Sequence, residues 1–141
     1  MTIEQLKAAG ALYFESVLEG LDTCDYRIER LSCQEAYNQI SAVWCEEQRS
    51  GSMGYADFYY YQLDSVAQGK VEEQLSEEEK QYLREKQPQE GQLIFPLDHM
   101  LLSIITKLNA SQMLFSTDYF IKAQMTWWGN FNQEYVIFYR R

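Results

Sequence analysis

The chain is poor in the residues that usually announce a chemistry. It has one histidine, three cysteines, two prolines and seven glycines in 141 residues. The single histidine, His99, leaves little room for a zinc site or a proton relay. Its neighbour Asp98 would project about 100° away from it on a helix, so the two form no geometrical pair. Cys24, Cys33 and Cys45 are odd in number and contain no CxxC spacing, which excludes a regular disulfide framework and a recognisable metal knuckle. Free thiols in a reducing cytosol are the expectation. Gly51 and Gly54 fit no phosphate-cradling fingerprint, and the acidic runs lack the alternating ligands of a calcium loop. No catalytic residue, metal or cofactor is assigned on these grounds.

Long apolar runs are missing as well. Nothing approaches the ~18 consecutive apolar residues of a spanning helix, and the first residues lack the basic start and apolar stretch of a secretory signal. A cytoplasmic protein with no membrane partner is expected.

What the chain does have is acid and aromatics. The net charge is −9, and it is unevenly placed: residues 1–90 carry eighteen acidic and eight basic side chains, residues 91–141 three and four. Eleven Tyr, seven Phe and three Trp rule against disorder. This length suits one globular domain over 1–141.

Three helix starts are marked by capping boxes, Thr2 with Gln5, Ser32 with Glu35 and Ser76 with Glu79. The apolar spacing predicts helices from Ile3 to about Glu19, from Cys33 to about Gln48 and from Glu77 to Lys86. Across Tyr55–Val66 helical spacing competes with the strand propensity of Tyr59–Tyr61, and helix is the favoured reading; a strongly amphipathic helix contains Leu97, Leu101, Ile104, Ile105 and Leu108. Residues 25–31 alternate and fit a short strand or a loop. Met113–Phe120, Ile121–Trp128 and Glu134–Arg140 read as strands, the last two joined around Gly129 and Asn130. An even connection of two or four residues would put Trp127 with Val136 and Phe138, and Trp128 with Tyr135, Ile137 and Tyr139; an odd one would swap the partners. The expected architecture is α+β, with a mainly helical N-terminal two thirds packed on a small C-terminal antiparallel meander of about three strands.

Function follows from charge rather than motif. Twelve basic residues against twenty-one acidic ones disfavour binding to duplex nucleic acid. An acidic surface instead suits a basic protein partner such as a nuclease or a toxin, because clustered negative charge speeds the encounter and aromatic anchors hold the complex. The expected role is therefore a non-enzymatic neutraliser, like an immunity protein in size, acidity and lack of a catalytic motif. Its candidate contact residues are Glu72, Glu73, Glu77, Glu78 and Glu79 with Tyr60 and Tyr61. The alternative is a ligand-binding module with an aromatic-lined pocket, either between sheet and helices or on a patch of Trp128, Tyr135 and Tyr139. An enzyme with an unrecognised carboxylate site ranks third. The surplus of aromatics also leaves room for a homodimer through the second face of the sheet.

Overall fold

The computed structural model describes all of Met1–Arg141. Its elements are α1 (Ile3–Ala8), α2 (Val17–Thr23), β1 (Asp25–Arg30), α3 (Cys33–Arg49), β2 (Tyr55–Asp57), α4 (Ser65–Glu72), α5 (Glu77–Glu85), β3 (Ile94–Pro96), α6 (His99–Ala110), β4 (Thr117–Phe120), β5 (Met125–Gly129) and β6 (Glu134–Tyr139). The α+β class stands. The three-strand C-terminal meander does not, because six strands drawn from the whole chain form one antiparallel sheet in the order β1-β6-β5-β4-β2-β3.

All three capping boxes form, at Thr2, Ser32 and Ser76. The first predicted helix is nevertheless two. Gly10 adopts φ +98°, in the left-handed region that glycine enters freely, and ends α1. An extended stretch then carries Tyr13 and Phe14 across the sheet before Ser16 caps α2. The helix expected over Tyr55–Val66 is also overturned. Gly54, at φ +70°, turns the chain into β2; a 3-10 turn over Tyr60–Gln62 follows, and Asp64 caps α4. Residues 55–57 are strand because Ala56 pairs with Phe95 on one side and Asp118 on the other, while the tyrosine run that follows enters the 3-10 turn.

Five residues, an odd number, separate the paired Gly129 and Tyr135, so the swapped partners are the real ones. Trp127 faces Ile137, Gly129 faces Tyr135, and Trp128 faces Val136. Alternation along the strands then divides the core into two. One face carries Phe95, Ala56, Phe120, Trp127, Tyr135 and Ile137 into a layer made by α3, α4, α5 and α6. The other carries Tyr119, Ile94, Val136 and Phe138 against α1, α2 and the strap between them. Fully burying each large side chain of this core contributes about 2–3 kcal/mol.

Glu47 ties the helical layer to the sheet. It is only 1% exposed, and its carboxylate accepts the backbone N–H groups of Lys122 and Ala123 at 2.8 and 2.9 Å. Those donors belong to the tight β4–β5 turn, which otherwise leaves them unpaired.

Gly129 permits another close approach. A Cβ there would stand 2.0 Å from Asn109 Oδ1 and 2.9 Å from the Ser116 carbonyl. Gly129→Ala is expected to cost about 2–3 kcal/mol in urea denaturation. Gly69→Ala, within α4 and with nothing inside 4 Å of the new methyl, is expected to gain about 1 kcal/mol.

Candidate functional site

The acidic candidates do not act as one surface. Glu79 is buried at 2% exposure, where Lys107 meets it at 2.6 Å, Ser103 donates to it at 2.8 Å, and it completes the cap of α5. These donors hold its carboxyl below the ordinary range, against the burial that would raise it. Glu72 accepts the Tyr60 hydroxyl at 3.0 Å and pairs with Arg84 at 3.3 Å. Tyr60 is itself buried, and Tyr61 donates to the Leu83 carbonyl at 2.9 Å. Desolvation pushes both phenols up to about 12. Glu72, Glu79, Tyr60 and Tyr61 therefore hold α4, α5 and the 3-10 turn together, and they leave the proposed contact surface. Glu73, Glu77 and Glu78 remain exposed, with Glu77 paired to Lys80 at 3.1 Å. Glu77, Glu78 and Glu85 border an open groove of about 590 Å³ floored by Tyr82 and Met100.

The aromatic patch of Trp128, Tyr135 and Tyr139 is corrected by the register. Tyr135 and Tyr139 share the helical face with Trp127, while Trp128 lies on the opposite face beside Val136. His99 opens α6 in an exposed position, edge-on to Trp44 with centroids 4.7 Å apart. No group of three or more His, Cys, Asp or Glu side chains converges as a metal site would require.

The sheet face of Trp128 does contain a cup. Tyr13, Tyr59, Tyr119 and Trp128 surround a partly enclosed cavity of about 80 Å³, with Asp57 in its wall and Glu15 at its rim. Three different elements build it. The strap after α1 supplies Tyr13 and stacks it on Tyr119 of β4, with centroids 6.0 Å apart and planes 25° apart. Strand β2 ends on Asp57, and the 3-10 turn begins beyond Tyr59. Glu15 and Tyr59 stay exposed, whereas Tyr119 is buried.

Asp57 gives the cup its chemistry. Its only hydrogen bond accepts the Thr117 N–H at 2.7 Å, and no cation lies within ion-pairing distance. Desolvation pushes its carboxyl up to about 7, against that single stabilising donor. The Tyr59 and Tyr119 phenols are raised too, first by burial and then by the Asp57 charge. The cup is thus an uncompensated carboxylate ringed by electron-rich aromatic side chains. Lys7 illustrates what such rings accept, since its ammonium stands 4.9 Å from the Tyr13 centroid while pairing with Glu15 at 3.7 Å.

Sequence reading missed this constellation. Asp57 and Tyr59 lie inside the Tyr55–Val66 stretch favoured as helix, Tyr13 inside the first predicted helix, and Tyr119 inside the predicted strand Met113–Phe120. The one available signal was a lone carboxylate within a tyrosine-rich run.

A fully buried acid lies on the other face. Asp118, across the ladder from Ala56 and Trp127, is 2% exposed with an unpartnered Oδ1, and burial raises its carboxyl well above the usual range.

Comparison with known proteins leaves this geometry without a parallel: no family model, no curated protein and no solved structure matches the chain.

Both acids bind their protons more tightly in the folded chain than in the unfolded one. Their stabilising contribution is complete below the unfolded value near 3.8 and is lost as pH rises through the folded value, about 7 for Asp57. Unfolding free energy should therefore fall by a few kcal/mol between about pH 4 and about pH 8. Asp57→Asn and Asp118→Asn should each flatten that slope in urea titrations across the range.

Proposed function

We propose that this chain is a small acidic binding protein that captures a cationic side chain of a basic protein partner in the Asp57 cup. The observation that carries the reading is Asp57 itself, a desolvated carboxyl with no counter-cation at the edge of an aromatic cavity. An arriving lysine or arginine head group would meet the faces of Tyr13, Tyr59 and Trp128. It would draw Asp57 into its ionised form and displace a proton. Glu15 at the rim, and the net charge of −9, would steer the approach. Three unpaired cysteines suit a cytoplasmic setting for that role, and no helix is long and apolar enough to cross a membrane.

A second docking surface is favoured by the groove along α5. Glu77, Glu78 and Glu85 line it at helical spacing, with Tyr82 and Met100 as its apolar floor. It lies on the helical layer, away from the cup, so the two surfaces can be tested apart.

Calorimetric titration with oligolysine and oligoarginine peptides tests the reading, with methylammonium as the free-cation arm. Peptide binding should weaken about tenfold for each pH unit below about 7, because Asp57 must first lose its proton. Asp57→Asn should weaken it roughly tenfold or more at neutral pH, and rising salt should weaken it further. Tight binding of methylammonium alone would turn the reading toward a free amine ligand. Loss of peptide binding in a Glu77→Lys, Glu78→Lys, Glu85→Lys triple variant, with Asp57→Asn unaffected, would move the docking face to α5. Wild-type protein that binds none of these cations would overturn the proposal.

A further inference from the structure

The two edges of the sheet are built differently. Strand β3 has three residues and ends on Pro96, a short and blunted edge of the kind that resists pairing. Strand β1 has six residues, no proline and no element covering its outer side. The hydrogen-bonding phase of this strand is fixed by Leu31, whose N–H donates to the Gln133 carbonyl directly opposite at 2.9 Å. Alternation then points the backbone groups of Asp25, Arg27 and Glu29 toward β6, and those of Tyr26, Ile28 and Arg30 outward. The outward set carries apolar side chains on one face, with Tyr26 46% and Ile28 56% exposed. The other face carries Arg27 and Glu29, which pair with each other at 3.3 Å.

We infer that β1 pairs antiparallel with β1 of a second copy about a two-fold axis at Ile28, joining two six-stranded sheets into one. Charge selects both the occupant and the register. With Ile28 opposite Ile28, the backbone groups of Tyr26 and Arg30 also meet, and every outward donor and acceptor of the strand finds a partner. The same register sets Arg27 of each copy opposite Glu29 of the other, so the internal pair is exchanged for two across the axis. Slipping two residues the other way sets Arg27 against Arg27 and Asp25 against Glu29, which like-charge repulsion disfavours. A register centred on Tyr26 leaves Glu29 and Arg30 beyond the strand's end. A strand whose charges complement themselves in its longest register fits another copy of this chain better than an unrelated strand. The contact lies at the sheet edge and does not rest on the cup.

Sedimentation equilibrium on the full chain tests this. Wild type is expected to shift from 16.7 kDa toward twice that mass as concentration rises. Arg27→Glu alone and Glu29→Arg alone should each weaken dimerisation by roughly tenfold or more, because two favourable pairs become repulsive. Mixing the two variants should restore a heterodimer, since each copy then meets the opposite charge at both positions. Ile28→Pro removes an outward N–H that β6 does not use, so it should give a monomer with unchanged circular dichroism. A wild type that stays monomeric throughout, or a dimer indifferent to either charge reversal, would overturn the inference.

Discussion

The five residues between the paired Gly129 and Tyr135 set the identity of both faces of this protein. Because residues 130–134 are odd in number, Trp127, Tyr135 and Ile137 go together to the helical layer, and Trp128, Val136 and Phe138 go to the N-terminal one. One residue more or fewer would exchange the two sets. Trp127 would lose its place among the α6 leucines, and Phe138 would leave the pocket where Gly20 of α2 lies against its ring. The connection holds its shape through Asn132 and Gln133, both at positive φ, and through Asn130, whose N–H donates to the Glu134 carbonyl at 2.9 Å. Everything built on either face, the cup included, inherits that register.

Local signals were legible where the backbone itself dictates them. Thr2, Ser32 and Ser76 announced helix starts that formed as read, and the spacing of Ala36, Ile40 and Trp44 placed one side of α3 in the core. The alternating charges of residues 25–30 were compatible with the strand they became. Non-local pairing was not legible. Tyr55–Asp57 and Ile94–Pro96 are three residues each, too short to show a period, and they are strands only because they pair with each other and with β4. The cup was hidden for the same reason, since Tyr13, Asp57 and Tyr119 come from three distant parts of the chain.

The acidic composition divides into groups with different work. Glu35, Asp64 and Asp98 cap helices, and Glu47 and Glu79 are buried among donors that satisfy them. Others are matched on the surface, as Glu46 is by Arg49, and such exposed pairs add little to stability. Asp57, half-buried, and Asp118, buried, stand apart without cations on opposite faces of neighbouring strands. Counting carboxylates along the chain overstated the free negative surface. It also gave no hint that the two most desolvated acids stand on neighbouring strands of the sheet.

The strand order has a consequence for how the chain matures. Strand β6 lies between β5 and β1, and Asp25 meets Tyr139 across more than a hundred positions of sequence. Nothing synthesised earlier can occupy that slot. A nascent chain would hold β1 without its neighbour until residues 134–139 had been made, so this part of the sheet orders through a late, long-range pairing. Deleting residues 134–139 would take out an inner rib of the sheet rather than a fringe.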